Sequence, residues 1–313
     1  MNEQTELLIN RYPVRTDLAQ ARTKPRVACL GPEGTYTEAA RHQLLGKYLN
    51  SMEAMFLPRN ADVVQEVEAG NYDIGIVPVE NAIEGDVVEV IRELNHAKGV
   101  TILGETILGI QHMLMGQQGS EVESIYSHPQ ALAQCRTYLL ENYPGIKQEP
   151  VSSTTAAAEI AKGNGKTLAI ASRRAAQIYD MPILAEDIGD TKGNSTRFLM
   201  LGRGETNPTG QDSTSLIFVP TGDRPGILAR CLVTLASYGL NLTKLDSRPT
   251  GVMREYAFWV TMDGHYKDMM VKRGVDDLRD TYCSSLRILG SYRKAVLPQG
   301  INDPGVINSY GQR

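Results

Sequence analysis

Short apolar segments typical of β-strands alternate with segments of helical spacing throughout residues 26–201. The apolar segments include 26–30, 73–79 and 167–171, and polar turns rich in glycine and hydroxyl residues separate them from the helical segments. Strands that alternate with helices in this way join into a mostly parallel sheet, with the helices packed on its faces. The alternation therefore predicts the α/β fold class and a largely parallel sheet.

Residues 101–115 form a long apolar, β-rich segment that leaves no room for a helix. This segment predicts a strand that crosses from one lobe of the molecule to another. Helix and strand patterns resume at 124 and continue to 201, which provides a second lobe. Two such lobes enclose a cleft, and clefts of this kind are usual ligand sites in α/β proteins.

A polar segment rich in glycine and proline, residues 203–212, follows the last of these strands and predicts a linker. Residues 213–295 then show strand, helix, strand, strand, helix and strand patterns, which is the βαββαβ order of the ferredoxin-like fold. The chain thus divides into an N-terminal arm at 1–25, a two-lobed region at 26–202, the linker, a ferredoxin-like domain and a flexible tail at 296–313.

Charge and cysteine usage exclude several classes of protein. The chain has 32 Lys and Arg against 36 Asp and Glu, and its net charge of -4 disfavours a nucleic-acid partner. Its four cysteines stand far apart, which disfavours structural zinc and a disulfide framework. No apolar stretch approaches the roughly 20 residues that span a bilayer, and the N-terminus lacks the apolar core of a signal peptide. We expect a cytoplasmic protein without a membrane partner.

Polar side chains follow two predicted strands of the first lobe. Residues 31–37 read Gly-Pro-Glu-Gly-Thr-Tyr-Thr and place Thr35 at a helix start, where backbone N–H groups can hold an anion. Glu80 and Asn81 end the strand at 73–79, at an edge of the sheet where ligands bind. Taken singly, each turn is equally compatible with an ordinary helix cap or solvated turn.

Two helix starts of the second lobe are also polar. Ser127 begins Ser-His-Pro-Gln, and Gln134 lies on the helix that follows, so the two residues can form a neutral hydrogen-bonding face. Thr154 follows two serines at the next helix start. An N-cap without a ligand remains an alternative for both segments.

The segment 189–198 runs from a polar turn into a strand. Alternation along that strand places Thr196 and Phe198 on one face and Arg197 on the other. The guanidinium of an arginine suits a planar carboxylate, and a threonine hydroxyl can donate a hydrogen bond without adding charge. The alternative is a strand-edge arginine in a surface ion pair.

In their order along the chain, these motifs resemble the prephenate dehydratase family with its C-terminal ACT domain. The resemblance extends over about residues 26–295, and it includes Gly-Pro-Glu-Gly-Thr-Tyr-Thr at 31–37, Val-Pro-Val-Glu-Asn at 77–81, Ser-His-Pro-Gln at 127–130, Asn-Ser-Thr-Arg-Phe at 194–198 and Asp-Ser-Arg-Pro at 246–249. It implies a two-lobed catalytic region similar to type II periplasmic binding proteins.

The resemblance also implies an activity, namely the loss of water and CO2 from prephenate to give phenylpyruvate, with no cofactor or metal. It implies that Thr196 is the main catalytic residue and that Arg197 orients the substrate or binds its pyruvyl carboxylate. The other catalytic positions are Asn81, Ser127 and Gln134. The substrate-binding positions are Glu80, Phe198, Thr35 and Thr154.

For the C-terminal domain, the resemblance implies an ACT domain that binds phenylalanine where two copies meet, in a homodimer or homotetramer, and thereby inhibits the enzyme. The implied effector residues are Gly226, Ile227, Leu228, Asn241, Leu242, Asp246, Ser247 and Arg248. Two of them depart from the family pattern, which usually has alanine at Ile227 and glutamate at Asp246. These departures leave the identity and affinity of the effector open.

Two other functions compete with a regulated prephenate dehydratase. One is a relative that acts on arogenate or only decarboxylates prephenate, and the other is an amino-acid-binding protein whose cleft has no catalytic task. The intact Thr-Arg-Phe at 196–198 favours the dehydratase.

Overall fold

The computed structural model describes residues 24–117 and 121–298. The predicted arm at 1–25 and tail at 296–313 therefore lie almost entirely outside the described residues. The strands are β1 (Arg26–Leu30), β2 (Glu53–Leu57), β3 (Ile74–Asn81), β4 (Gly85–Asp86), β5 (Thr101–Gly109), β6 (Met113–Met115), β7 (Ser124–Ser127), β8 (Lys147–Pro150), β9 (Thr167–Ala171), β10 (Ile183–Ala185), β11 (Ser195–Gly202), β12 (Asp212–Pro220), β13 (Leu242–Pro249), β14 (Tyr256–Asp263) and β15 (Cys283–Arg293).

The α-helices are α1 (Tyr36–Leu45), α2 (Asn60–Ala69), α3 (Val88–His96), α4 (Pro129–Gln134), α5 (Arg136–Asn142), α6 (Thr154–Lys162), α7 (Arg173–Tyr179), α8 (Ile227–Ser237) and α9 (Met269–Tyr282). A 3-10 helix at Gly46–Ser51 follows α1. The sequence patterns predict helices at 60–69, 154–162 and 173–179 and a strand at 167–171. The structure places α2, α6, α7 and β9 at these residues.

Two sheets form two lobes, which confirms the predicted two-lobed α/β architecture. The first sheet has the order β2-β1-β3-β11-β5 with β4 beside β3, and the second has the order β10-β6-β9-β7-β8. The chain passes between the lobes from β5 to β6 and returns from β10 to β11. The prediction of one crossing strand at 101–115 is thus corrected to two strands, one in each sheet.

Each lobe has a mixed sheet, whereas the sequence predicts a largely parallel one. β1 pairs in parallel with β2 and β3, but β11 is antiparallel to both β3 and β5. In the second lobe β6 and β10 are likewise antiparallel to their neighbours. Apart from the short β4, which forms a hairpin with β3, the antiparallel strands are those adjoining the two crossings, because the chain enters each sheet there without a covering helix.

Several predicted boundaries are wrong for local reasons. The helix predicted to reach residue 49 ends at Leu45, where Gly46 adopts a positive φ of 49°. The edge strand β2 is not predicted, since its residues are mostly half-exposed and carry no clear apolar pattern. The helix predicted at 129–141 is interrupted at Cys135, and the one predicted from 85 begins at Val88 because β4 pairs with β3 first.

Residues after β11 form the predicted ferredoxin-like fold. Its antiparallel sheet has the order β13-β14-β12-β15, and α8 and α9 pack on one face of it. The segment at 203–212 is not a loose linker: the Thr206 hydroxyl donates to the carbonyl of Ser291 and bonds the His265 ring.

The other face of this sheet packs on the first lobe. Trp259 and Tyr292 are buried there in the same apolar cluster as Val90, Ile91 and Leu94 of α3. Full burial of one such side chain stabilises a fold by roughly 1.5–3 kcal/mol. The apolar contact therefore holds the ferredoxin-like domain directly against the strands of the first lobe.

Candidate active site

A cleft of about 440 Å³ lies between the two lobes. Residues of both lobes line it, and among the described lining residues none is Lys, Arg, Asp or Glu. The lining residues that the following paragraphs discuss are Thr35, Tyr36, Asn60, Asn81, His112, Gln134, Ser153, Thr154, Asn194, Thr196 and Phe198. The described wall of the cleft therefore offers amide, hydroxyl and imidazole groups but no carboxylate, ammonium or guanidinium group.

A chain of hydrogen bonds joins the two lobes across the cleft. The Asn81 amide donates to Thr196 Oγ1 at 2.8 Å and to Asn194 Oδ1 at 2.9 Å. Asn194 Nδ2 donates to Gln134 Oε1 at 3.1 Å, and His112 Nε2 lies 2.8 Å from the same oxygen. Asn81 and Thr196 belong to the first lobe, and Gln134 and His112 adjoin the second sheet, so the chain of bonds orders the site and closes it.

Thr196 is held as a hydrogen-bond acceptor. It is 9% exposed, and its backbone pairs with Asn81 in the β3–β11 ladder. The Oδ1 atom of Asn81 accepts bonds from the N–H groups of Ile83 and Glu84, each at 3.0 Å, which orients the amide nitrogen of Asn81 toward Thr196. Because Thr196 Oγ1 accepts from Asn81, the proton of its own hydroxyl is free to point elsewhere.

Two of the ionisable side chains that line this cleft, His112 and Tyr36, are held in their neutral forms. Burial lowers the pKa of His112, which is 5% exposed. Burial raises the pKa of Tyr36, whose hydroxyl donates to the carbonyl of Gln111. With Nε2 of His112 bonded to Gln134, its Nδ1 is buried and has no hydrogen-bond partner among the described residues.

Two helices begin at the cleft wall. Thr35 is the N-cap of α1, yet its side chain makes no capping bond and instead reaches the carbonyl of Leu30. Thr154 opens α6, which Ser153 caps through a bond from the N–H of Ala156 at 3.0 Å. The positive ends of these helix dipoles favour a negatively charged ligand.

The structure brings six of the predicted catalytic and substrate-binding residues into this cleft, namely Thr35, Asn81, Gln134, Thr154, Thr196 and Phe198. The alternation predicted for 196–198 is also found. Thr196 and Phe198 line the cleft, while Arg197 lies on the opposite face of β11.

Three predicted placements are wrong. Arg197 does not reach the cleft: its Nε donates to Glu105 at 2.7 Å and its Nη2 to the Tyr292 hydroxyl at 3.0 Å, at the contact with the ferredoxin-like domain. Burial lowers the pKa of Arg197, but its interactions with Tyr292 and Glu105 outweigh that effect and hold the pKa above its ordinary value. Its guanidinium is thus a charged group committed to a protein partner.

Glu80 and Ser127 are also absent from the cleft wall. The carboxylate of Glu80 lies 3.6 Å from Arg197 and 3.2 Å from Lys244 of β13. Ser127 is fully buried, and its hydroxyl donates to the carbonyl of Ile170 at 2.6 Å. A carboxylate between two cations and a hydroxyl bonded within the second sheet are structural groups here.

Sequence reasoning missed three cleft residues. His112 follows the crossing strand without a motif of its own, whereas Asn194 stands inside the Asn-Ser-Thr-Arg-Phe segment and was available from it. Asn60 begins α2, and its buried Oδ1 has no hydrogen-bond partner among the described residues. The signal for Asn60 is only its position at a helix start.

The predicted effector residues divide between two faces of the ferredoxin-like domain. Gly226, Ile227 and Leu228 form the start of α8, and Asn241 and Leu242 lead into β13. Asp246 and Arg248 lie apart from these segments, because alternation along β13 turns both toward the first lobe. There Arg248 lies 2.8 Å from Asp246 and 2.9 Å from Asp86, while Ser247 stays exposed.

Within the described ranges, no three His, Cys, Asp or Glu side chains form a group that could hold a metal ion. No helix described by the structure has the length and apolar character needed to cross a membrane.

Comparison with known proteins agrees with this architecture. Residues 27–206 match a family model described as prephenate dehydratase. A bifunctional chorismate mutase/prephenate dehydratase of Aquifex aeolicus is 39% identical over 281 residues, which cover 88% of this chain and 75% of the relative. A prephenate dehydratase of Amycolatopsis methanolica is 33% identical over 275 residues, covering 86% of this chain and 89% of the relative.

Solved structures extend the similarity to the whole fold. The prephenate dehydratase of Arthrobacter aurescens, in complex with L-Phe, has a TM-score of 0.79 at 31% identity and covers 91% of this chain and 97% of its own. A protein described as a novel type of quorum quenching acylase has a TM-score of 0.75 at 27% identity, over 86% and 97% of the two chains. The family model alone spans more than half of the sequence, and the relatives match over most of their own length. The chain therefore belongs to the prephenate dehydratase family.

Proposed function

We propose that this protein is a prephenate dehydratase, with catalysis in residues 26–202 and regulation in residues 213–295. The observation that carries the proposal is the bond from the Asn81 amide to Thr196 Oγ1 in a cleft whose described wall has no Lys, Arg, Asp or Glu. The reaction loses CO2 from C1 of the ring and hydroxide from C4, and the electron pair of the broken C–C bond completes the aromatic ring of phenylpyruvate. Departure of hydroxide is the step that needs a hydrogen-bond donor.

Thr196 supplies that donor. Because its oxygen accepts from Asn81, its hydroxyl proton is directed into the cleft, where it bonds the leaving oxygen of prephenate. A donor positioned at the leaving group stabilises the transition state more than the ground state, and only such interactions raise kcat. The departing hydroxide takes a proton from solvent after it leaves, so Thr196 donates a hydrogen bond and keeps its own proton.

A cleft wall without Lys or Arg among its described residues suits the carboxylate that departs as CO2. A strong ion pair with that group would stabilise the substrate and raise the barrier to its loss. Neutral donors such as Gln134 and Asn194 hold it more weakly. We assign the second carboxylate, on the pyruvyl arm, to the starts of α1 and α6 near Thr35 and Thr154, because Arg197 lies outside the cleft.

The same wall favours prephenate over arogenate. Arogenate carries an ammonium group where prephenate has a keto oxygen, and burial of an ammonium group calls for a carboxylate partner. No carboxylate is among the described residues of the cleft wall. A keto oxygen needs only a neutral donor, and the cleft provides several.

The test is turnover by the purified full-length protein, with prephenate and arogenate in parallel at the same concentrations. We expect phenylpyruvate from prephenate and a lower kcat/KM for arogenate. A higher kcat/KM for arogenate would identify arogenate, not prephenate, as the preferred substrate. The absence of product from both compounds would refute the assignment as a dehydratase.

We also propose that the ferredoxin-like domain is an ACT domain that binds phenylalanine at a contact between two copies of the chain. The support is its strand order and the segments at 226–228 and 241–242, together with the L-Phe complex of the related structure. Gly226 has a φ of 79°, a conformation that a β-branched residue adopts only with strain. The start of α8 thus depends on this glycine.

Calorimetric titration of phenylalanine into the wild type, Gly226→Val and Ile227→Ala tests the site. We expect Gly226→Val to lose binding and Ile227→Ala to bind more tightly, since the smaller side chain enlarges the pocket. Light scattering with and without phenylalanine reports whether the binding species is a dimer or a tetramer. Equal heats for all three proteins would exclude this loop as the site.

A cytoplasmic location completes the proposal. All four cysteines lie in the described residues and are free, and free thiols are usual in a reducing compartment. Burial raises the pKa of Cys29 and of Cys135 to about 12, so both remain protonated and unreactive.

A further inference from the structure

Behind the catalytic pair Asn81 and Thr196 lies a group of charged residues that the proposed reaction does not use. Adjacent residues of a strand point to opposite faces of the sheet. Glu80 and Arg197, which pair with each other and adjoin Asn81 and Thr196 in sequence, therefore lie on the face opposite the cleft. Lys244 of the ferredoxin-like domain reaches Glu80 from the other side, at 3.2 Å. A single layer of backbone thus separates the cleft from the domain contact.

The hairpin of β3 and β4 carries two carboxylates that face each other. Glu80 is the direct cross-strand partner of Asp86, and Asn81 is the partner of Gly85. Like charges placed opposite one another destabilise a hairpin. The Nζ atom of Lys244 contacts both Glu80 and Asp86, and its side chain is only 11% exposed. Lys244 therefore neutralises the repulsion between the two strands that present Asn81.

The neighbouring charges offer no substitute for Lys244. Arg197 binds mainly Glu105 and Tyr292 and reaches Glu80 only at 3.6 Å. Arg248 bonds Asp86, but it also pairs with Asp246. Three cations thus face four carboxylates, which are Glu80, Asp86, Glu105 and Asp246. Loss of Lys244 leaves two cations for the four carboxylates and removes the side chain that contacts both Glu80 and Asp86.

We propose that Lys244 is a positioning residue for the reaction in the cleft: it holds the β3–β4 hairpin closed from the ferredoxin-like domain and so keeps Asn81 within bonding distance of Thr196. The inference rests on the proposed dehydratase function. It also places the start of a regulatory path on β13, because any movement of that strand changes the distance from Lys244 to Glu80 and Asp86.

The test compares Lys244→Met, Lys244→Arg and the double variant Lys244→Met, Asp86→Asn in the full-length protein. Displacement of a catalytic group by about 1 Å costs up to about 100-fold in rate, so we expect Lys244→Met to lower kcat by about 10- to 100-fold with little change in KM. Lys244→Arg restores the charge and recovers most of kcat. The double variant removes the repulsion and recovers part of it.

Lys272→Met is the matched control, because Lys272 forms an exposed pair with Asp276 on α9 of the same domain. We expect its kcat and KM to equal those of the wild type. Wild-type kcat in Lys244→Met overturns the inference, as does a loss in Lys244→Met that neither Lys244→Arg nor the double variant repairs. If neither Lys244→Met nor the double variant folds, Lys244 contributes to stability alone, and that result also overturns the inference. An inactive wild type refutes the dehydratase itself, which separates the two failures.

Discussion

Asn81 donates its side-chain amide to Thr196 Oγ1 across 2.8 Å, and the same two residues face each other in the pairing of β3 with β11. The pairing of the two strands therefore holds the two side chains in a fixed relative position. A hydroxyl fixed in this way loses little freedom when the substrate arrives, which is the arrangement expected of a preorganised donor.

Replacement of Thr196 tests this assignment. We expect Thr196→Ala to reduce kcat by about a hundred- to ten-thousand-fold, the usual range for a positioned proton donor, while the Kd for prephenate stays within a few-fold. Thr196→Ser keeps the hydroxyl and should retain much of the activity. Steady-state kinetics and equilibrium binding measure the two effects.

Thr281→Ala is a suitable control, because Thr281 is an exposed residue of α9 whose hydroxyl bonds only Asp277 among the described residues. Its kinetics should match the wild type. Turnover by Thr196→Ala within threefold of the wild type would remove the hydroxyl from the mechanism.

Arg197 has a different role from its neighbour in the Thr-Arg-Phe segment. Its partners Glu105 and Tyr292 are buried, and removal of one member of a buried ion pair costs about 3–5 kcal/mol. We expect Arg197→Ala to lower the free energy of unfolding by about that amount without a large rise in KM for prephenate. Urea unfolding and steady-state kinetics measure the two quantities.

Arg136→Ala, on the exposed side of α5, serves as the comparison and should leave stability almost unchanged. A strong rise in KM for Arg197→Ala with unchanged stability would instead show that Arg197 binds the substrate.

These two neighbours show how far the sequence alone reaches. Strand alternation predicts that Thr196 and Arg197 point to opposite faces and that Phe198 shares the face of Thr196. It does not reveal which face is the cleft and which is a domain contact. The partner of Arg197 is Tyr292, 95 residues away along the chain, and nothing local to either residue signals that the two meet.

The fold shows the same division. Helices α2, α6 and α7 and the βαββαβ order follow from periodicity and turn residues, because those signals act within a few residues. The antiparallel strands beside the crossings and the edge strand β2 depend on pairing with distant segments. Lys244 and Asp86 are 158 residues apart, so the contact of Lys244 with the β3–β4 hairpin is visible only in the folded structure.

The neutral state of His112 predicts an acid-sensitive stability. Its folded pKa lies below the ordinary value of about 6.5, so below that pH the unfolded chain binds a proton that the native state does not. The free energy of unfolding should therefore fall as the pH drops from about 7.5 to about 5.5. His265 and His42 have pKa values lowered in the same direction and add to the effect.

His112→Gln isolates the part due to His112. Glutamine keeps a side-chain donor for Gln134 but does not titrate, so the loss of stability over this pH range should be smaller than in the wild type. His96→Gln, at an exposed position of α3, should keep the wild-type pH dependence. Urea unfolding at both pH values provides the comparison, and identical pH dependence in the wild type and His112→Gln would show that the pKa of His112 does not differ between the native and unfolded states.

At Gly290 the backbone of the ferredoxin-like domain lies close to the backbone of the first lobe. Gly290 lies in β15 with a φ of 155°, and a Cβ atom at this position would stand 2.2 Å from the carbonyl oxygen of Ile102 in β5. A backbone oxygen cannot move aside as the end of a flexible side chain does. Gly290→Ala must therefore push β15 away from β5 and disturb the contact that buries Trp259 and Tyr292.

We expect Gly290→Ala to destabilise the protein by about 1–3 kcal/mol or more, the usual cost of overpacking a close contact. Because Tyr292 is a partner of Arg197, the variant should also lower kcat. Gly163→Ala is the control: Gly163 has an ordinary φ of -81°, and the nearest atom to an added Cβ is 3.7 Å away. That variant should be neutral or slightly stabilising, and thermal unfolding compares the two. Equal melting temperatures for the wild type and Gly290→Ala would mean that the two strands are not in contact in solution.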